Sequence, residues 1–210
     1  NPNYRFVYGR TQESFPSGEK QLVGPEGAID GYLEDFIHKT NELRIRSNTI
    51  ALLIDSEIVE KYGIHFPPGI KISEDTYFII QLLCVTKARG IDDIVAFYIR
   101  RDDSATTNQW IPERWRGHVT IYQLLTEYIQ QYRPEAMEAF CRMRNYVAYR
   151  FILSCIRRGY VSDAQQDIAE WRSFLQEFCR GDGKITDRWK CRVILYFANS
   201  SSMLKRVGKL

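Results

Sequence analysis

Two adjacent acids, Glu74 and Asp75, stand where the turn Phe66-Pro67-Pro68-Gly69 gives way to an apolar run of helix length. Backbone N–H groups and the dipole at a helix start favour negative charge, so a carboxylate pair fits that position. A carboxylate held there can take a proton from a substrate hydroxyl. Acids at helix starts also serve as plain caps, and position alone leaves both roles open. His65, beside the turn, can orient a hydroxyl, although a lone loop histidine commonly has no special role. Arg100 and Arg101 close the next apolar segment, with Asp102 and Asp103 behind them. An arginine pair can clamp phosphate or carboxylate in bidentate fashion, or sit in a solvated strand end with local ion pairs.

The elements that must position these residues are legible from period and punctuation. Tyr4 to Tyr8 alternates and predicts a strand ending at Gly9. Pro16, Gly18, Gly24, Pro25, Gly27 and Gly31 make residues 10–31 a loop or loose hairpin. A short helix follows from Asp30 as cap, with Tyr32, Leu33, Phe36 and Ile37 on one face. Thr49 to Ile54 is a brief buried run, and Ser56 to Tyr62 a two-turn helix closed by Gly63. The spacing of Phe78, Leu82 and Val85 predicts a helix from Glu74 to Arg89, stopped by Gly90. Ile94 to Ile99 reads as a strand.

Beyond about residue 110 the pattern is helical throughout. Helices are expected over 118–132, 135–158, 163–180 and 187–199. Gly159 and Gly181 act as stops, and Ser162 with Gln165 as a capping box. The fold class is therefore mixed α/β over residues 1–108, followed by an all-α region over 109–210.

Bulk properties narrow the classes. A chain of 210 residues with 44% hydrophobic and 26% charged content suits a globular protein with a sizeable core. No apolar run approaches the roughly 18 residues needed to span a bilayer, and the start shows no secretory signal pattern. Five widely spaced cysteines, with no Cys-x-x-Cys, argue against a disulfide framework or zinc site and fit a reducing, cytosolic setting. Residues 180–210 hold eight basic residues against two acids, a balance of +6, which leaves −3 for the rest. Phosphate-loop, dinucleotide-binding, nucleophile-elbow and zinc-protease motifs are all missing, as is Asp-x-Asp.

The order of these features is more specific than any one of them. Phe66-Pro67-Pro68-Gly69, then Glu74-Asp75-Thr76-Tyr77-Phe78, then Tyr98, Arg100 or Arg101, and Ser104 resemble the acceptor-side signature of bacterial family 2 glycosyltransferases. These are inverting enzymes with a GT-A fold, and the resemblance covers roughly residues 4–106. It implies transfer of a sugar from a nucleotide-sugar donor to a saccharide or lipid-linked acceptor hydroxyl, in surface polysaccharide synthesis. It makes Asp75 the general base, with Glu74 supporting the site or binding the acceptor, and His65, Arg100, Arg101 and Ser104 on the substrate side. It also implies a divalent cation, Mg or Mn, whose Asp-x-Asp ligands lie in a nucleotide-binding half that this sequence does not contain. The chain, opening Asn1-Pro2-Asn3, looks like such an enzyme cut after its metal-binding region, unable to catalyse alone.

Gln109 to Trp115 approximates the Gln-x-x-Arg-Trp motif of processive synthases, but its spacing is two residues too long. Trp110 and Trp115 are read as packing groups rather than a sugar platform. Around residues 182–210, Trp189, Val193, Ile194 and Phe197 alternate with Arg188, Lys190 and Arg192. This suits contact with an anionic membrane surface, at the inner face in the cytoplasm, or a bundle helix with a solvated basic face. No nucleic-acid partner is expected. A non-catalytic α/β module with a helical docking domain is the competing reading. A glycoside hydrolase fits poorly, since it needs two separated carboxylates.

Overall fold

A computed structural model describes residues 4–24, 29–37, 49–100, 110–181 and 183–209. Its sheet is built around β1 (Phe6–Ser14), which pairs on both edges. Along one edge lie β3 (Leu52–Ile54), opposite Phe6 to Tyr8, and β2 (Lys20–Val23), opposite Thr11 to Ser14, both antiparallel. Along the other edge runs β4 (Ala88–Ile99), parallel to β1. The strand expected to end at Gly9 thus continues to Ser14 and turns into a hairpin. Gly9 is there for proximity: a Cβ on it would lie 2.6 Å from the Val95 side chain. β4 advances from Gly90 to Ile94 while β1 advances only from Tyr8 to Arg10, a bulge that brings Val95 over Gly9.

The helices of the mixed portion are α1 (Leu33–Phe36), α2 (Ser56–Lys61) and α3 (Glu74–Val85). Asp30 does not cap α1. Its carboxylate instead accepts from the Gly90 N–H at 3.1 Å and the Tyr4 hydroxyl at 3.2 Å. α2 starts at an Asp55 cap, and the Gly63 expected to close it follows at φ 60°. Thr49–Ala51 forms a 3-10 turn before β3, and the segment expected to be buried has only Ala51 fully so.

The third helix departs from expectation at its end and in its burial. It stops at Val85, because Ala88 already exchanges backbone hydrogen bonds with Gly31 and pairs with Phe6. Arg89 and Gly90 therefore belong to β4. Every residue from Tyr77 to Cys84 is buried, so this helix is apolar all round rather than on one stripe. Burial pushes the Cys84 thiol up to about 12, leaving it a packing group.

The helical region contains α4 (Pro112–Trp115), α5 (Gly117–Tyr132), α6 (Met137–Arg157), α7 (Val161–Glu170), α8 (Arg172–Arg180), α9 (Ile185–Tyr196) and α10 (Ser201–Val207). The single helix expected over 163–180 breaks at Trp171, which is fully buried with its ring against Phe151 at 5.6 Å. Ser162 and Gln165 form no capping box. The Gln165 amide donates to the Ala198 carbonyl at 2.7 Å and accepts from Ser201 at 2.9 Å, tying α7 to α10. Trp110 and Trp115 pack against the helices, with Trp110 close to Phe151 and Tyr160. The described cysteines are all free thiols, and among the described residues no helix is long and apolar enough to cross a membrane.

Two apolar cores result. One gathers β1, α1, α2 and α3 together with Ile121, Tyr122, Leu125 and Ile129 of α5 and Phe140 and Met143 of α6. The other gathers α6 from Ala148 onward with α7 to α10. Each large side chain fully buried in them contributes about 1.5–3 kcal/mol.

A bidentate ion pair ties the start of α5 to α7: Arg116 donates to Asp167 at 2.8 and 3.2 Å, and Asp167 is fully buried. Burial pushes the Asp167 carboxyl upward, and the Arg116 guanidinium opposes that shift. Arg116→Met strands this carboxylate without a partner. It is expected to cost about 3 kcal/mol by urea denaturation, and Arg116→Met with Asp167→Leu to recover most of the loss.

Candidate functional site

Asp75 is half-buried in the first turn of α3. The Thr49 hydroxyl, at the start of the 3-10 turn leading into β3, donates to its Oδ1 at 3.0 Å. Among the described residues Asp75 makes no ion pair, and its Oδ2 accepts no hydrogen bond. Glu74 is also half-buried and makes neither side-chain bond nor ion pair there. One carboxylate is therefore oriented by a neighbouring element, with a free oxygen, and a second stands beside it. That arrangement can accept a proton and hold a polar substrate group.

Ser73, immediately before the pair, is the one non-glycine residue with a left-handed backbone among the described residues, at φ 67°. It makes no capping bond to α3. Its hydroxyl instead shares a short hydrogen bond with Nδ1 of His118, in the first turn of α5. A non-glycine residue in this region costs of order 1–3 kcal/mol and persists only where its surroundings hold it. The His118 contact and the packing of α3 against α5 do so here. Burial lowers the His118 pKa, so the ring is neutral near neutral pH.

The other predicted residues do not join this cluster. His65 donates from Nδ1 to the Gly63 carbonyl at 2.7 Å, and its ring meets Tyr77 edge-on at 5.9 Å. Its backbone carbonyl accepts from Gln81 at 2.8 Å. Positions 77 and 81 lie about 200° and 240° around the helix from position 75, so His65 braces another side of α3. Arg100 is committed to Glu13, whose buried carboxylate accepts from its Nε at 2.8 Å. That bond raises the Arg100 pKa further. Its guanidinium also lies near the rings of Phe15 and Tyr98. The acid pair and Arg100 stand at the ends of α3 and β4 farthest from their junction at Thr86 and Lys87. Arg101 and Ser104 lie outside the described residues.

Sequence reasoning missed Thr49, His118 and Glu13. Thr49 and His118 lie 26 and 45 residues from their partners. The signal that could have found His118 is its rarity, since the chain holds only three histidines. Glu13 falls in the stretch read as loop, where an acid carries no weight.

Among the described residues no group of three His, Cys, Asp or Glu side chains is placed to hold a metal ion. The divalent cation that the resemblance implies finds no ligand set in them. Comparison of the chain with protein-family models, curated proteins and solved structures gives no match.

The lowered His118 pKa has a definite sign. The unfolded chain takes up the proton first, so this contribution to stability is complete above about pH 6.5 and is lost as pH falls below it. Wild-type melting temperature should drop over that window, and His118→Gln should flatten the drop. Parallel profiles for the two proteins would show that His118 is not its source.

Proposed function

We propose that this chain supplies the acceptor side of an inverting glycosyltransferase, with Asp75 as the base. The observation that carries the reading is a half-buried carboxylate at a helix start, oriented through Oδ1 by Thr49 and, among the described residues, open at Oδ2. A sugar hydroxyl is a weak nucleophile. As its oxygen bonds to the anomeric carbon of a nucleotide-sugar donor, its proton passes to Asp75 Oδ2 and the bond to the nucleoside diphosphate breaks. Attack opposite the leaving group inverts the anomeric centre. Glu74 accepts hydrogen bonds from neighbouring acceptor hydroxyls. His65 braces another side of α3, and Arg100 ties the end of β4 to Glu13 of β1.

An open sheet is consistent with this role. β3 pairs with β1 along one edge, and its other edge carries no strand among the described residues. Such an unpaired edge suits continuation into the nucleotide-sugar-binding half that the reading requires. The reading implies a saccharide or lipid-linked acceptor, surface polysaccharide as product, and a cytoplasmic protein peripheral to the membrane's inner face.

The test uses the polypeptide that joins this chain to its nucleotide-sugar-binding half. Asp75→Asn should lower transfer by roughly 10²–10⁴-fold and leave donor binding, measured by calorimetry, unchanged. Near-normal turnover would remove Asp75 from the role of base and favour a non-catalytic module. Thr49→Val should lower kcat by roughly tenfold with little change in KM, since it removes a hydrogen bond to a charged group.

A further inference from the structure

Part of the basic excess of residues 180–210 lies on or beside an exposed helix face, with Arg192 on α9 and Arg180 at the end of α8. Ile185, Trp189, Arg192 and Tyr196 of α9 follow one another at spacings of four, three and four. At 100° per residue they fall within an arc of about 60°. Ile185, Trp189 and Tyr196 are 76%, 53% and 82% exposed, while Cys191 and Ile194 on the opposite side are buried. The apolar residues offered to solvent are therefore not the Val193, Ile194 and Phe197 read from the sequence. Those three belong to the second core.

Beside this face is a depression of about 390 Å³ between α8 and α9, lined by Gln176, Cys179, Arg180, Arg192, Leu195 and Tyr196. Arg192 donates to the Cys179 carbonyl at 3.0 Å and Arg188 to the Gly181 carbonyl at 2.8 Å. The first bond fixes one cation in its lining, and the second holds another between the end of α8 and α9. Lys184, one turn before Arg188, is exposed.

We propose that this face is a docking surface for an anionic lipid bilayer. The depression accepts a head-group phosphate between Arg180 and Arg192, and Ile185, Trp189 and Tyr196 enter the boundary between head groups and acyl chains. Charge complementarity names the sign of the partner. The aliphatic Ile185, in line with two aromatics, favours a bilayer over a nucleic acid, which would use the aromatics for stacking and leave the isoleucine in water. The surface involves none of the residues around Asp75, so it stands independently of the catalytic reading.

Co-sedimentation of the full chain with phosphatidylcholine vesicles, with and without phosphatidylglycerol, tests the proposal. Wild type should pellet only with the anionic vesicles, and less so as salt is raised. Ile185→Ser, Trp189→Ser and Tyr196→Ser combined should reduce binding by about tenfold or more, as should Arg180→Gln with Lys184→Gln. All five positions lie outside the apolar cores, and circular dichroism should show unchanged helix content. Equal sedimentation of wild type and the apolar variant would overturn the proposal. So would tighter binding to a single-stranded oligonucleotide than to anionic vesicles.

Discussion

The strand Phe6–Ser14 is the constraint on which the rest of the molecule depends. Every strand pairing among the described residues has this strand as one member. Its hydrogen-bonding groups are shared between a parallel neighbour on one side and two short antiparallel ones on the other. Parallel pairing of Phe6 with Ala88 closes a long loop of chain, so α1, α2 and α3 are carried inside that closure. Tyr8 adds a polar clamp, its buried hydroxyl donating to the Ile29 carbonyl at 2.8 Å and accepting from the Ile29 N–H at 3.2 Å. The acid pair at the far end of α3 inherits its position from this pairing, because only Thr86 and Lys87 separate α3 from β4.

Much of this architecture was legible in the sequence wherever local chemistry decided it. Gly63 and Gly69 adopt positive φ where the turns were expected, at 60° and 75°. The helical character after residue 110 follows from apolar spacing. Legibility failed where distant partners won. Gly9 reads as a terminator yet lies within a strand, because Val95 must approach it. Arg89 and Gly90 read as helix and stop, yet extend β4, because Phe6 and Gly31 capture Ala88. Trp171 interrupts an otherwise continuous helical pattern because its large ring is fully buried against Phe151. At the candidate site the acid pair was visible, but its company was not: nothing in the local pattern connects Asp75 to Thr49 or Ser73 to His118.

Ser73 shows how position and strain combine. A serine before two acids reads as an ordinary N-cap, but its left-handed backbone turns the hydroxyl away from α3 and toward α5. The start of α3 is then complemented electrostatically by Glu74 and Asp75. The backbone strain at Ser73 is balanced by the tie to His118, so the orientation of the acids depends on the packing of a helix well outside their own segment.

The 21-residue helix α6 contributes Phe140 and Met143 to the core under the sheet and Ala148 to Ile156 to the core of the terminal helices, with Val147 touching both. A rigid rod embedded in two cores transmits rotation as well as stability. A load applied to the terminal helices, such as adhesion of α9 to a surface, would reach the sheet through α6 as torque about this shared axle rather than through a flexible hinge.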